Sequence, residues 1–300
     1  MTGKGRDARP FLRWIGGKSK NIDSFTKYLP DGFENMLYVE PFLGSGAMFL
    51  KTQPLHAIVS DINASLVNAW ISIKQTPVIL SQFLAGHDEC DNEAHYYNTR
   101  DAFNIDKRNN MSSIRQDARF IYLNARCFNG LYRENSRGEM NAPYAKDLKG
   151  LKKICNKYNM IEISDYLDDA HVTIHNKSYV DIIPVVESRS VDKKVFFFLD
   201  PPYYPVSITS SFTSYNKNAW KDDDFSKLKE FVDKINEKGW LFLLCNHSVP
   251  FINDLFKKYD RIEHLISRSV SCKANDRKPV MEILVANYNI SRKQKKVKIL

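Results

Sequence analysis

The 300-residue sequence has no run approaching the ~18 uninterrupted apolar residues that a membrane span needs. Its opening MTGKGRDARP shows no apolar core behind the positive charges, so the expected location is the cytoplasm, away from any membrane. Cysteine is sparse: Cys90, Cys127, Cys155, Cys245 and Cys272 are odd in number and contain no C-x-x-C pair. That spacing indicates neither a disulfide framework nor a zinc ribbon, and free thiols are expected. Low complexity and internal repeats are absent, which excludes solenoids and wholesale disorder. Acid is in deficit, with 35 Asp and Glu against 44 Lys and Arg, a formal charge of +9.

What remains is the composition of a globular protein, 43% hydrophobic and 26% charged, long enough for one large domain or two smaller ones. The positive charge is unevenly placed. From Asp101 to Lys157 twelve Lys or Arg stand against six Asp or Glu, and Ser291–Leu300 holds five basic residues and no acid. Such an excess suits a polyanion, whose counterions are released on binding, although charge alone fits a solvated surface equally well.

Leu37–Glu40 and Ala57–Ser60 are short apolar runs ending in an acidic or turn residue, as parallel strands do. Val195–Leu199 is apolar throughout and stops at Asp200-Pro201-Pro202, so it reads as a strand buried on both faces. Leu241–Leu244 reads the same way. Between these two, Phe225, Leu228, Phe231, Val232 and Ile235 recur at helical spacing within Asp222–Lys238, after an acidic start and before Gly239. Strand, crossover helix and strand make a right-handed parallel unit, hence an α/β core. Ile262–Val270 and Val280–Tyr288 flank a polar Lys273–Pro279 turn region and read as an antiparallel pair closing the sheet. The stretch from Trp70 to Tyr166 breaks this rhythm and reads as a mostly helical insertion.

Glu40-Pro41-Phe42-Leu43-Gly44-Ser45-Gly46 follows a strand and precedes Ala47–Lys51, a candidate helix start. Glycines there let backbone approach a ligand closely. Phe49 stands where a dinucleotide fingerprint has its third glycine, and Asp61 ends the next strand, where an acidic side chain takes ribose hydroxyls. A nucleoside cofactor fits and NAD does not; a plain tight turn is the alternative. Gly16-Gly17-Lys18-Ser19 is not a P-loop, because Leu12 occupies the first-glycine position and no strand precedes it. Lys18 could pair with a carboxylate instead, and Trp14 could stack on an aromatic ring or simply pack in the core. The strongest signal is Asp200-Pro201-Pro202-Tyr203 at a strand's carboxyl end, where open α/β sheets place their sites. A planar amine held by the Asp200 carboxylate and the Pro201 carbonyl would lose conjugation and gain nucleophilicity while its ring stacks on Tyr203.

Taken in order, FLRWIGGK, VEPFLGSG, DIN at Asp61–Asn63, NGLYREN with GEMNAPY, and DPPY followed by CNHS resemble the Dam-type site-specific DNA adenine methyltransferases, from about Phe11 to Tyr288. The resemblance implies transfer of the S-adenosyl-L-methionine methyl group to the exocyclic amine of a flipped adenine in double-stranded DNA. It implies a Rossmann-like core with a mostly parallel sheet, an antiparallel carboxyl-terminal hairpin and an inserted, mostly helical target-recognition domain. The catalytic domain would comprise residues 1–70 and 167–300, and the insertion residues 71–166. Carried over by position, Trp14 would flank the cofactor's adenine, Lys18 would pair with its carboxylate, Gly44 and Gly46 would pass beneath it, and Asp61 would hold its ribose. Asp200, Pro201, Pro202 and Tyr203 would grip the target adenine, with Asp200 also beside the cofactor. Arg133 would read guanine, and Leu131 and Pro143 a thymine methyl, making GATC the expected target. Arg13, Arg100, Asn129, Asn135 and Asn141 match positions that hold DNA.

Two positions depart from the family pattern: Ala125 stands where Arg is common, and Ala145-Lys146 where Gly-Arg usually follows. Pro205–Lys221, long and rich in Ser and Thr beside DPPY, reads as a lid. No metal is expected, since His171 and His175 flank a strand-like Val172-Thr173-Ile174 without further ligands. No obligatory protein partner is evident. The alternatives are the same chemistry on another DNA target, a DNA-binding relative without catalysis, and methylation of RNA or protein glutamine, whose tetrad often begins with Asn.

Overall fold

The computed structural model describes residues 7–14, 22–146, 153–206, 220–266 and 280–292. Its strands are β1 (Leu37–Glu40), β2 (His56–Ser60), β3 (His171–His175), β4 (Val195–Leu199), β5 (Leu241–His247), β6 (Asp260–Ile266) and β7 (Val280–Ala286). They form one sheet in the order β3-β2-β1-β4-β5-β7-β6. The helices among the described residues are α1 (Ile22–Thr26), α2 (Ala47–Thr52), α3 (Ala64–Gln75), α4 (Pro77–Glu89), α5 (Glu93–Arg108), α6 (Ile114–Arg126), α7 (Lys157–Asp169), α8 (Ile183–Arg189), α9 (Asp222–Glu237) and α10 (Pro250–Leu255). None of them is long and apolar enough to cross a membrane. The chain divides into two compact units, one of Met1–Ser19, Leu43–Leu55 and Val59–Lys177, the other of Lys20–Phe42, His56–Ile58 and Ser178–Leu300.

The second unit is built around β4. All five of its residues are buried, so the strand needs partners on both edges and cover on both faces. β1 pairs with it in parallel (Leu37↔Val195, Val39↔Phe197) and so does β5 (Phe197↔Phe242, Leu199↔Leu244). The crossover between β4 and β5 includes α9, whose Phe225, Leu228, Phe231, Val232 and Ile235 are buried in the same core cluster as Phe197 and Phe242. The Asp224 carboxylate accepts the Lys221 N–H at 2.9 Å at the start of this helix. At its end Gly239 takes φ +68°, and the N–H groups of Gly239 and Trp240 return to the carbonyls of Asn236 and Ile235. That is a left-handed glycine cap, which fixes where the chain turns back into β5.

β7 pairs antiparallel with both β5 and β6, so the carboxyl-terminal pair joins the sheet through its second strand. The α/β class with a closing antiparallel pair is as read from the sequence. The strand order turns at β1 and β4: one arm of the sheet continues through β2 and β3, the other through β5. The carboxyl ends of β1 and β4 are therefore the topological switch point, the usual position of a site in such sheets. The Lys273–Pro279 turn region, most of Pro205–Lys221 and most of Ser291–Leu300 lie outside the described residues.

In the first unit α3 to α7 make the described part of residues 71–166 mostly helical. Its centre is α6, in which Phe120, Ile121, Tyr122 and Leu123 are fully buried. Arg126, also buried, pairs with the carboxylates of Asp88 and Asp91. The His87 ring stacks on Tyr122 at 4.6 Å and hydrogen-bonds His95 at 2.9 Å. Burial, then the neighbouring His95 and Arg119, push His87 down from 6.5 to about 4. A histidine whose folded pKa is lowered supports folding fully above its unfolded pKa, and that support is lost as pH falls toward the folded value. The wild-type unfolding temperature should therefore drop between pH 7 and 4.5, and His87→Phe should flatten that drop; equal slopes in calorimetry would exclude His87 as its source.

Candidate active site and nucleic-acid interface

At the switch point β1 runs out at Glu40 and β4 at Leu199. Glu40 is buried and accepts the Tyr38 hydroxyl at 2.6 Å. Beyond β4, Asp200 and Tyr203 are half-buried, Pro201 is buried and Pro202 exposed. Prolines cannot donate to a neighbouring strand, so the sheet must stop here and the chain keeps one backbone shape. The Tyr203 hydroxyl donates to Glu282 Oε2 at 3.2 Å, and its ring meets His247 edge to face at 4.8 Å. Burial, followed by the charge of Asp200, holds the phenol well above its ordinary pKa, so it stays a donor.

Tyr204 is fixed at both of its backbone groups. Its N–H donates to Asn246 Oδ1 at 3.0 Å, and its carbonyl lies 2.7 Å from His247 Nδ1, which must carry a proton to make that bond. Asn246 is completely buried, and the same oxygen accepts the His247 N–H at 2.9 Å. Pairing of β5 with β7 sets His247 opposite Glu282, which is how both reach Tyr203. The arrangement offers a carboxylate, a carbonyl on a rigid Pro-Pro segment and an oriented phenol ring at one strand end. Asn246 and His247 entered the sequence analysis only within the CNHS run, with no role given to either, and Glu282 not at all.

In the first unit the Gly44–Gly46 turn and Asp61 come together. Gly44 N–H donates to Asp61 Oδ2 at 3.0 Å, and Asn63 N–H to Asp61 Oδ1 at 2.9 Å. Burial pushes the Asp61 carboxyl up, and the amides of Asn63 and Gly44 pull it back. Each oxygen accepts one of these backbone bonds, leaving lone-pair capacity for hydroxyl donors. Gly44 and Gly46 have φ +48° and +64°. A Cβ at Gly44 would stand 2.7 Å from Trp14 Cδ1, and one at Gly46 2.6 Å from Trp70 Cζ2. Trp14 thus packs on the turn, and its other neighbour is Tyr132, stacked at 6.0 Å. Lys18 lies outside the described residues.

Residues 127–145 form a hairpin held by the Cys127↔Tyr144 and Glu134↔Met140 bridges. Its side chains alternate strictly. Gly130, Tyr132, Met140, Ala142 and Tyr144 are buried, whereas Asn129, Arg133, Asn141 and Pro143 are exposed and Leu131 is half-exposed. Period-two backbone therefore puts Leu131, Arg133, Asn141 and Pro143, four of the eight candidate DNA contacts, on one outward face, and Asn129 is exposed in the turn Phe128–Gly130 that precedes them. Asn129 adopts φ +56°, a conformation asparagine tolerates. Arg13, itself exposed, packs against the hairpin at buried Gly130: a Cβ there would lie 2.7 Å from its Cδ, and its backbone N–H and carbonyl are both held by buried Asn124, at 2.9 and 2.8 Å. Arg100 sits behind, its guanidinium over the Tyr97 ring at 4.7 Å and 3.4 Å from the Ala142 carbonyl. Asn135 is engaged in the hairpin turn: its Oδ1 accepts the N–H groups of Arg137 and Glu139, and its Nδ2 donates to Glu139 at 2.9 Å. Among the described residues no group of three or more His, Cys, Asp or Glu could hold a metal ion.

Comparison with known proteins places these features in context. The family model for D12 class N6 adenine-specific DNA methyltransferases matches residues 14–270. The type II methyltransferase M.MjaIII of Methanocaldococcus jannaschii is 32% identical over 299 residues, covering 94% of this chain and all of its own. The type II methyltransferase M1.LlaDCHI of Lactococcus lactis subsp. cremoris is 30% identical, over 93% of this chain and 95% of its own. The DNA adenine methylase of Escherichia coli (strain K12) is 28% identical, over 92% and 94%.

Gly44 and Gly32, both at positive φ, allow a stability test. Gly44→Ala should cost about 2 kcal/mol or more, because strain at positive φ adds to the Trp14 contact, whereas Gly32→Ala, at φ +74° with nothing within 4 Å, should cost only about 1 kcal/mol. Urea unfolding of both variants checks this; equal costs would show that Trp14 yields freely.

Proposed function

The chain belongs to the D12 class of N6 adenine-specific DNA methyltransferases, and from that premise we propose that it methylates the adenine of GATC in double-stranded DNA, with S-adenosyl-L-methionine as donor, in the cytoplasm where the DNA is. Residues 71–166 would recognise the target, and residues 1–70 with 167–300 would carry the chemistry. The observation that carries this reading is the end of β4, where a carboxylate, a rigid carbonyl segment and a braced phenol stand together at the switch point.

The target base is stacked inside the duplex, so its extrusion must come first, at a cost on the order of a few kcal/mol. Tyr203 then gives the purine a face to stack on, with its own tilt set by Glu282 and His247. The Asp200 carboxylate and the Pro201 carbonyl are both acceptors, as the two N–H groups of an exocyclic amine require. Holding both hydrogens turns the nitrogen lone pair away from ring conjugation and toward an electrophile. As the nitrogen is alkylated the Asp200 carboxylate stabilises the positive charge that builds on it, and one of its two hydrogens then leaves as a proton, to Asp200 or to water. S-adenosylmethionine, when bound, supplies a methyl group activated by its sulfonium, so no covalent enzyme intermediate is needed. Asp61 fits that cofactor by its donor set, since both carboxylate oxygens keep lone pairs for ribose hydroxyls. Trp14 beside the Gly44–Gly46 turn, and Lys18, complete the residues that would hold it.

On the hairpin, the exposed Arg133 has the fork for a guanine edge, and Leu131 and Pro143 are the apolar groups for a thymine methyl. Arg13, Arg100, Asn129 and Asn141 would hold the duplex around them, and Asn135 would act through the turn it ties.

A methyl-transfer assay on a pooled DNA library should return adenine within GATC as the modified position; another consensus would remove the target assignment, and no modified adenine would remove the activity. Asp200→Ala should abolish transfer while the protein still unfolds cooperatively on heating, and retained transfer would contradict the role of Asp200. Arg133→Ala should weaken discrimination at the guanine by about 1–3 kcal/mol, read as kcat/KM on substituted duplexes.

A further inference from the structure

The return strand of the hairpin has two edges. Toward its partner it presents the Glu139 carbonyl, the Asn141 N–H, the Pro143 carbonyl and the Ala145 N–H, which bond Asn135, Arg133, Phe128 and Arg126. The intervening groups, the carbonyl of Gly138 and both backbone groups of Met140 together with the carbonyl of Ala142, point the other way, where a sheet would supply a further strand. Here that place is taken by α5. Asn104 Nδ2 donates to the Met140 carbonyl at 3.0 Å, and the Met140 N–H donates to Asn104 Oδ1 at 2.8 Å, so one side-chain amide imitates a neighbouring strand. Tyr96 donates its hydroxyl to the Ala142 carbonyl at 2.9 Å, and Lys107 Nζ donates to the Gly138 carbonyl at 2.8 Å. Lys107 also pairs with Glu134 on the first strand, whose carboxylate accepts the Tyr132 hydroxyl at 2.7 Å. Tyr96, Asn104 and Lys107 lie along one helix face at spacings of eight and three, matching every second residue of the strand.

We infer that α5 is a specificity-determining element, with Asn104 and Lys107 as positioning residues that fix the register and height of the hairpin and so decide how strictly its outward face reads DNA bases. This rests on the proposal that the hairpin is the reading element. A two-bond contact to a base edge discriminates only when both bonds are placed together. A hairpin released along one edge can still lie on a duplex and hold phosphates, but its readers lose their fixed offset. The loss therefore falls on the ratio between correct and altered sites before it falls on methyl transfer itself. Neither residue lies on the outward face, and neither is part of the Asp200 or Asp61 clusters.

The test measures kcat/KM of the full-length protein on the site recovered from the library and on its single-base variants. Asn104→Ala should narrow the cognate-to-variant ratio by about tenfold. Asn104→Asp, which keeps the acceptor for the Met140 N–H but sets a second acceptor against the Met140 carbonyl, should narrow the ratio at least as far as Asn104→Ala. S-adenosylmethionine affinity, titrated by intrinsic fluorescence, should be unchanged in both. Lys107→Met, at a partly exposed position, should narrow the ratio in the same direction and carries the test if Asn104→Ala fails to fold. An unchanged ratio in these variants overturns the inference. Arg133→Ala, measured alongside, separates the causes: if it alone relaxes the ratio, only the role of α5 falls, and if it too leaves the ratio unchanged, the hairpin's role falls with it.

Discussion

Five consecutive apolar residues in an extended strand must be covered on both faces, and that requirement on Val195–Leu199 organises the second unit. β1 and β5 must flank the strand, α9 must cover it, and every polar group must wait until the strand has ended. Two prolines make that ending abrupt. The first carboxylate therefore appears at the rim of the sheet, between the ends of strands that have just been locked in parallel register. The position of Asp200 and the packing of Phe197 are two consequences of where that buried run ends.

Around that rim, rigidity comes from residues with no evident chemistry of their own. Asn246 and His247 each hold one backbone group of Tyr204, and Glu282 holds the Tyr203 hydroxyl. The first unit repeats the device: buried Asn124 grips both backbone groups of Arg13, and Asn104 both of Met140. Asparagine is suited to this because one amide carries a donor and an acceptor at the spacing of a peptide group. Several asparagines of the insertion are thus internal ties and not surface groups.

Local signals made much of the fold legible. The apolar run and its prolines gave β4 to the residue, and the acidic start and Gly239 gave α9 to within one residue. Gly44 and Gly46 were readable as a turn because their order after a strand constrains backbone. The hairpin was not readable, since its strands are short, irregular and flanked by helices. Its alternation of buried and exposed residues is stabilised by contacts with α5 that sequence periodicity does not encode. Glu282 was invisible for a similar reason: only the register of β7 against β5 brings it to Tyr203. Long-range pairing, rather than residue preference, assembles the parts that surround the motifs.

The tie between Asn124 and Arg13 spans 111 residues of chain. As the polypeptide leaves the ribosome, the amino-terminal arm is made early and this anchor late, so the tie at Arg13 cannot close until α6 has been synthesised. Arg13 then arrives on a hairpin that follows α6 directly in the chain, and the two can dock in a single episode. Assembly of the basic face is thereby timed by the slowest loop to close.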